Sequence, residues 1–371
     1  MPECAVIGGG VVGLSIAYEL AQLGANVTLA ERGQVGREAS CAGAGILPPP
    51  TSQRDVPAWK RFQADSYRLH GRWHEQLREE TGIDNGYCVC GALHLAHRVG
   101  EAAALRAEMA ELAGDGVRVR ELTREEAVSL EPGLQADSPA LPDIHVCFHL
   151  PDEAQIRNPH HLQALAQACR QRGVVICENQ TAQSLRISDD SVEELVTSAG
   201  ILRTDSYVFC AGAWSEMLLT ELGLNLSVYP VRGQMLLYQC ESPPASHIIN
   251  EGPRYIVPRN DGRVLVGSTE EDVGFDKHTT EEGLAELRQF AETVLPGLAG
   301  ARIEKTWAGL RPHAVDGFPY IGRVPHLKNA YVAAGHYRAG LSTSTGTATA
   351  IAQLITEGIT ELDIVDFRLD R

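Results

Sequence analysis

The sequence predicts an α/β fold. A Rossmann-like nucleotide-binding domain is interleaved with an α+β domain that carries a mixed or antiparallel sheet. Three observations lead there. A glycine fingerprint, Gly8-x-Gly10-x-x-Gly13, sits between an apolar β-compatible run and a helix-forming run. A strand, a glycine turn and a helix-forming run recur between Ala330 and about Ile355. Strand-like runs also cluster in two separated regions, Gly86 to about Pro142 and about Val228 to Glu304. The expected division is 1–85, 143–227 and 305–371 for the nucleotide domain, and 86–142 and 228–304 for the substrate domain.

At the N-terminus, Cys4 to Ile7 reads as a strand, and Val11 to Leu23 as a helix with Leu14, Ala17, Tyr18 and Ala21 on one face. Gly24 ends that helix, and Asn26 to Ala30 is a second strand with Glu31 at its end. Each glycine has a job: Gly8 allows the tight turn, Gly10 lets backbone approach a pyrophosphate, and Gly13 lets the helix close on the sheet. The helix N-terminus offers N–H groups and a positive dipole to phosphates. Glu31, eighteen residues after Gly13, is spaced to accept from a ribose diol and argues against a 2′-phosphate. NAD and FAD share this fingerprint. The small-residue stretch Glu38 to Leu47 favours FAD, because backbone amides there can follow a second phosphate, a ribityl chain and a flavin ring.

Further along, Arg157 to Arg172 reads as a helix and Val174 to Glu178 as a strand. Tyr207 to Cys210 is a strand that runs into Ala211-Gly212-Ala213-Trp214-Ser215, again bringing backbone close to a cofactor. In the β-rich regions, Tyr87 to Ala96, Gln234 to Gln239, Tyr255 to Val257 and Val264 to Val266 read as strands, and Glu101 to Leu112 and Thr280 to Leu295 as helices. Ala330 to Ala334 leads into Gly335 to Ser342, where a second helix N-terminus near Gly340 could face the cofactor and stabilise negative charge on a reduced ring.

The bulk numbers exclude several classes. A net charge of −16 over 371 residues argues against nucleic acid and anionic membrane surfaces. The N-terminal apolar run is broken by four glycines and has neither a basic n-region nor a cleavage pattern, so no membrane span or signal peptide is expected. Nine scattered cysteines, the closest pair being Cys88-Val-Cys90, read as reduced thiols of a cytoplasmic protein with no metal site. Arg311, flanked by Leu310 and Pro312, reads as a buried cation that needs a partner, and a bidentate carboxylate suits it. No side-chain general base stands out; His313 and His336 are weak candidates. A neutral amine could push hydride to a flavin without one.

These residues resemble the D-amino-acid oxidase superfamily, and within it the glycine oxidases of the thiamine pathway. The resemblance covers essentially the whole chain. It rests on the glycine fingerprint with Glu31, Ala42 to Leu47, Ala211 to Ser215 and Val231-Arg232-Gly233-Gln234. It rests more specifically on Tyr255-Ile256-Val257-Pro258-Arg259, Val266-Gly267-Ser268-Thr269, Trp307 to Pro312 and Gly335 to Leu341. It implies oxidation of a small amino acid or amine by hydride transfer from Cα to flavin N5. Molecular oxygen or another acceptor takes the electrons, and the imine is available for thiazole synthesis. By the same analogy Arg311 and Tyr255 bind the substrate carboxylate, and Arg338 sits beside flavin and substrate. FAD is expected to contact Val11, Val12, Glu31, Arg32, Ala39, Ser40, Ala44, Gly45 and Ile46. Further contacts are the backbone around Ala182, Gly212, and the turn His336, Tyr337, Arg338, Ala339, Gly340, Leu341 and Ser342. A homo-oligomer, as in the family's tetramers, is implied.

Two departures put the substrate in question. Glu270 stands where some members carry Met and faces either pocket or solvent. The run after Arg338 is also unusually polar. Some relatives attach FAD through a C-terminal Cys or an N-terminal-loop His. Here no Cys follows Cys240 and the loop has no His, so FAD is expected to be non-covalent. Competing readings are an oxidase or dehydrogenase of sarcosine, a D-amino acid or an N-substituted amino acid, a flavin-binding subunit without turnover, and an NAD-dependent dehydrogenase. Arg311 and Tyr255 speak against the flavin-binding subunit; the Ala42 to Leu47 loop and the Gly335 to Ser342 turn speak against the NAD-dependent dehydrogenase.

Overall fold

The computed structural model describes residues 2–134, 144–242 and 244–371. The expected boundary between residues 142 and 143 lies outside them. Among the described residues, four sheets form, two of them large.

The first large sheet has six strands in the order Tyr320–Arg323, Ala330–Ala334, Ser206–Phe209, Glu3–Ile7, Asn26–Ala30, Val175–Cys177. All its pairings are parallel except that of Tyr320–Arg323 with Ala330–Ala334. Glu3–Ile7 lies between its sequence neighbour Asn26–Ala30 and the distant Ser206–Phe209. Strand order therefore reverses there, and a crevice opens beyond the carboxyl ends. The helices Val11–Gln22, Ala58–Thr81, Asn158–Gln171 and Ser344–Thr356 cover one face through a shared core that includes Leu14, Ile16, Phe62, Leu165 and Ile351. The other face is covered by the antiparallel strands Ala182–Ser188, Ser191–Thr197 and Gly200–Leu202 and by the helix Ser215–Glu221.

The second large sheet has eight strands in the order Arg302–Ala314, Val228–Gln239, Arg263–Gly267, Arg254–Pro258, Ile248–Glu251, Ala92–Ala96, Val146–Leu150, Arg120–Glu121. It is mixed: only Ile248–Glu251 against Ala92–Ala96 is parallel. One face packs the helix Glu281–Val294 over Leu236, Tyr238, Ile256 and Val264. That helix starts at Thr280, whose hydroxyl accepts from Gly283 N–H at 3.2 Å. The opposite face carries Met235, Tyr255, Val257 and Leu265 toward Ala44. Alternation along each strand thus sends Ile256 to the helix and Tyr255 to the glycine loop.

Three local expectations need correction. Tyr87 to Ala96 is not one strand: Gly91, at φ +73°, separates Cys88–Val89, which pairs with Ala154–Gln155, from Ala92–Ala96. The Val146–Leu150 and Arg302–Ala314 strands hydrogen-bond within the eight-stranded sheet, although sequence position set most of their residues among the nucleotide stretches. No helix starts at Gly340; Tyr337, at φ +49°, opens a short 3₁₀ turn, Tyr337–Ala339, and the long helix begins at Ser344. Among the described residues no helix is long and apolar enough to cross a membrane.

Candidate active site

A cavity of about 1110 Å³ runs from the reversal point of the first sheet to the inner face of the second. Gly8 lies at its nucleotide end with φ +111°, and a Cβ there would meet the Cys210 carbonyl oxygen at 2.3 Å. Gly13 does not line the cavity. A Cβ on it would lie 1.9 Å from the Gly8 carbonyl oxygen, so its role is to let the helix close on the strand. Gly10, Val11 and Val12 line the opening, and Val11 N–H donates to Ser40 Oγ at 2.8 Å, tying the helix start to the glycine loop. Glu31 lines the cavity while its two oxygens accept from Gly9 and Gly33 N–H, each at 2.7 Å. Those bonds hold the carboxylate in place with lone pairs to spare. The Arg32 guanidinium stacks 3.8 Å from the Trp214 ring, next to Gly212, and Ala182 lines the same end.

Further in, Ala39, Ser40, Ala44, Gly45 and Ile46 form one wall. Three residues the sequence reading did not single out hold it. Asn158 donates to the Ser40 carbonyl at 2.7 Å, Arg259 to the Ala44 carbonyl at 2.6 Å, and Trp307 Nε1 to the Ala42 carbonyl at 3.2 Å. Gly45, at φ +79°, passes so close to Ile156 that a Cβ would stand 1.9 Å from its carbonyl oxygen. Arg259 spends its other bonds on Gln155 and the Ile156 carbonyl, and burial pulls its pKa down to about 10. Arg259 and Trp307 both lie in stretches that carried the resemblance; their contacts were not readable because each spans more than two hundred residues of chain.

The C-terminal turn, His336 to Ser342, forms the facing wall. His336 contributes backbone only: its Nε2 lies 3.1 Å from Thr347 Oγ1, and burial pushes its pKa down to about 4. An imidazole this enclosed and already bonded to Thr347 is a structural group, which argues against His336 as a base. His313 lies between Tyr229, at a tilt, and Tyr337, edge-on, and does not line the cavity. Beneath the turn, His70 Nε2 lies 3.0 Å and 3.2 Å from the carbonyl oxygens of Leu341 and Ser342; since carbonyls only accept, that nitrogen carries the proton.

Arg311, Tyr255 and Arg338 meet at the inner end of the cavity. Arg311 rises from the strand Arg302–Ala314 and lies over Gly233, where a Cβ would stand 2.1 Å from its Nη2. It donates to Ser268 Oγ at 2.6 Å and to the Thr269 carbonyl at 3.1 Å. No ion pair of Arg311 occurs among the described residues, and desolvation lowers its pKa. It is a positioned cation with bonding capacity still open toward the cavity. The Tyr255 hydroxyl points to Met235 Sδ at 3.5 Å and passes Gly267, where a Cβ would come within 2.8 Å of it. Arg338 donates to the Pro253 carbonyl at 3.0 Å, and its Nη1 stands 3.7 Å from Glu270. Glu270 does not line the cavity; it accepts from the Tyr337 hydroxyl and clips the C-terminal turn to the second sheet.

The site fits a dinucleotide with a ring at its inner end. The cradle is bare backbone where side chains would intrude, acidic at the ribose position and cationic where a carboxylate would sit. Comparison with known proteins agrees. Residues 3–354 match the family model described as FAD dependent oxidoreductase (DAO). The chain is 37% identical to a glycine oxidase of Pseudomonas aeruginosa over 94% of this chain and 93% of that one. It superposes on the crystal structure of glycine oxidase from Geobacillus kaustophilus with TM-score 0.93 and 31% identity, covering 100% and 99% of the two chains. It superposes on iminodiacetate oxidase from Chelativorans sp. BNC1 with TM-score 0.87 and 28% identity over 98% of both. The chain belongs to the DAO family of FAD dependent oxidoreductases.

Proposed function

We propose that this protein oxidises the Cα–N bond of glycine or a similarly small amino acid, using non-covalent FAD. FAD, when bound, would supply the hydride acceptor and, once reduced by the substrate, the two electrons that convert oxygen to hydrogen peroxide. Glycine gives up a hydride from Cα and a proton from nitrogen; the imine takes up water to yield glyoxylate and ammonia, or feeds thiazole synthesis in the thiamine pathway. The reading rests chiefly on one observation: Arg311, with no ion pair among the described residues, lines the inner end of a cavity whose other end is a nucleotide cradle.

In this reading Arg311 and the Tyr255 hydroxyl hold the substrate carboxylate and so fix Cα. Arg338 adds a second positive charge that favours an anionic substrate and a neutral amine. Neither His313 nor His336 serves as base in this reading, so a neutral amine is the form that reacts. The residues that hold FAD are Gly8, Gly10, Val11, Val12, Glu31, Arg32, Ala39, Ser40, Ala44, Gly45, Ile46, Ala182, Gly212 and the His336 to Ser342 turn, with Gly13 supporting from below. Two domains are proposed, one around each large sheet, with Val146–Leu150 and Arg302–Ala314 assigned to the substrate domain because they pair there. The nine cysteines are free thiols, which suits a cytoplasmic location. A homo-oligomer is part of the same reading and is checked by light scattering.

The test is peroxide release by the purified yellow protein with glycine, sarcosine and a panel of D-amino acids, beside Arg311→Met. Peroxide from glycine that the substitution abolishes supports both the oxidase and its carboxylate anchor. Flavin bleaching without oxygen but no peroxide would make it a dehydrogenase. Bleaching by none of these amines would overturn the reading. Flavin that stays with the polypeptide after denaturation would overturn non-covalent binding.

A further inference from the structure

The cavity does not end at the carboxylate anchor. On the inner face of the eight-stranded sheet, Tyr255 is the direct register partner of Asn250, and Asn250 is the direct partner of His94. Partners in register project to the same face. All three line the cavity that Arg311 lines. With strands about 4.8 Å apart, this row carries the cavity roughly 10 Å beyond Tyr255. Glycine would fill none of that length.

The row is built, not incidental. Glu153, 3% exposed, lies against it and lines the same cavity. His94 Nε2 lies 2.9 Å from Glu153 Oε2, and the Asn250 amide nitrogen donates to Glu153 Oε1 at 3.0 Å. The Asn250 amide nitrogen also lies 3.1 Å from His94 Nε2, so the three side chains form one network. With its nitrogen committed, Asn250 has its amide oxygen available as an acceptor toward the cavity. Leu105, Leu112 and Leu150 give this extension an apolar wall. At its outer end Glu108 also lines the cavity, and no ion pair of Glu108 occurs among the described residues. A passage with one apolar wall, an amide oxygen partway along it and the Glu108 carboxylate at its outer end suits a hydrocarbon stem tipped with a hydrogen-bond-donating cation.

We propose that this extension is a tail subsite, and that the protein's best substrates are amino acids bearing, on Cα or on nitrogen, a hydrocarbon stem that ends in an ammonium or guanidinium. The proposal rests on the amino-acid oxidation reading above and deepens it. A small amino acid would occupy only the anchor, whereas a cation-tipped one would use anchor and tail together, and the tail group would add a charge-assisted bond.

The test uses the holoprotein and straight-chain carboxylates of equal length that have no α-amine and cannot be oxidised at Cα by this chemistry. These are ε-aminocaproate with a cationic end, caproate with an apolar end and adipate with an anionic end. Each is titrated by its perturbation of the flavin absorbance. The expected result is that ε-aminocaproate binds about ten-fold or more tighter than caproate, with adipate weakest. The advantage should shrink at least about three-fold in Glu108→Gln, an exposed position where folding is not at stake, and in Asn250→Leu. Equal or tighter binding of caproate or adipate, or an ε-aminocaproate advantage that both variants leave intact, would overturn the tail subsite. Because binding is read without turnover, failure of the amine-oxidation reading shows separately, as absence of bleaching by any α-amine in the panel.

Discussion

Arg311 depends on a residue that has no side chain. Its guanidinium lies over Gly233, its register neighbourhood across the Val228–Gln239 and Arg302–Ala314 ladder, and a methyl there would displace it. We expect Gly233→Ala to fold, because the intruding atom meets the far end of a flexible side chain, but to lose carboxylate affinity. One lost charge-assisted bond of roughly 1.5–3 kcal/mol corresponds to a rise in KM of about ten-fold or more. Steady-state kinetics check this, and an unchanged KM would show that Arg311 does not need that berth. Arg311 was legible in sequence because a charge between Leu310 and Pro312 needs a reason. Gly233 was legible only as part of a motif, because its reason is a contact 78 positions away that no local pattern encodes. Glu270 illustrates the same limit. Sequence left it facing pocket or solvent; in the folded chain it is exposed outside the cavity, against Tyr337 and Arg338.

At the scale of elements, the strand–glycine–helix unit at the N-terminus was readable because the contacts that close the helix on its strand are local. Gly13 and Glu31 act within about thirty residues, and the backbone clash that forbids a Cβ at Gly13 is with Gly8 itself, whereas Gly8 also packs on the distant Cys210 carbonyl. A backbone oxygen at 1.9 Å cannot yield as a side chain can. Gly13→Val is therefore expected to part the helix from its strand, so that the protein purifies without flavin or binds added FAD at least about a hundred-fold more weakly. Flavin fluorescence quenching measures it, and a yellow protein of unaltered affinity would refute the packing role. The Arg302–Ala314 strand was not readable as a strand of the substrate sheet. Its Trp-Ala-Gly-Leu-Arg-Pro core lacks a clean alternation, and pairing with Val228–Gln239 supplies the order that local propensity does not. The C-terminal turn was readable as a turn, but Tyr337 in the left-handed region delays the helix to Ser344.

Across the whole molecule, buried histidines join the layers. His70 on Ala58–Thr81 holds the Leu341 and Ser342 carbonyls, and His161 on Asn158–Gln171 lies with its ring centroid 6.0 Å from that of His70. Burial drives His70 to about 4, His161 to about 3, and His336 to about 4. A depressed histidine pKa means that the unfolded chain binds the extra proton first. Stability is therefore complete above the ordinary value near 6.5 and is lost as pH falls from there toward 4, by about 1.4 kcal/mol for each pKa unit of depression. Melting temperature should fall between pH 6.5 and 5, above the range where most carboxylates titrate, and His161→Phe should flatten that slope. A melting temperature level across this interval would contradict it.

By itself the sequence determined the nucleotide cradle, the α/β class and the presence of a guanidinium in an apolar stretch that needs partners. Each depends on short-range geometry or on a polar group too costly to leave unpaired. Tertiary structure alone decided which strands joined which sheet, what holds the glycine loop, where Glu270 points, and how far the cavity runs past Tyr255 toward His94 and Glu108. Those features depend on side chains brought together from distant parts of the chain. Sheet register and crossover bring them together, and neither is written in any local stretch of residues.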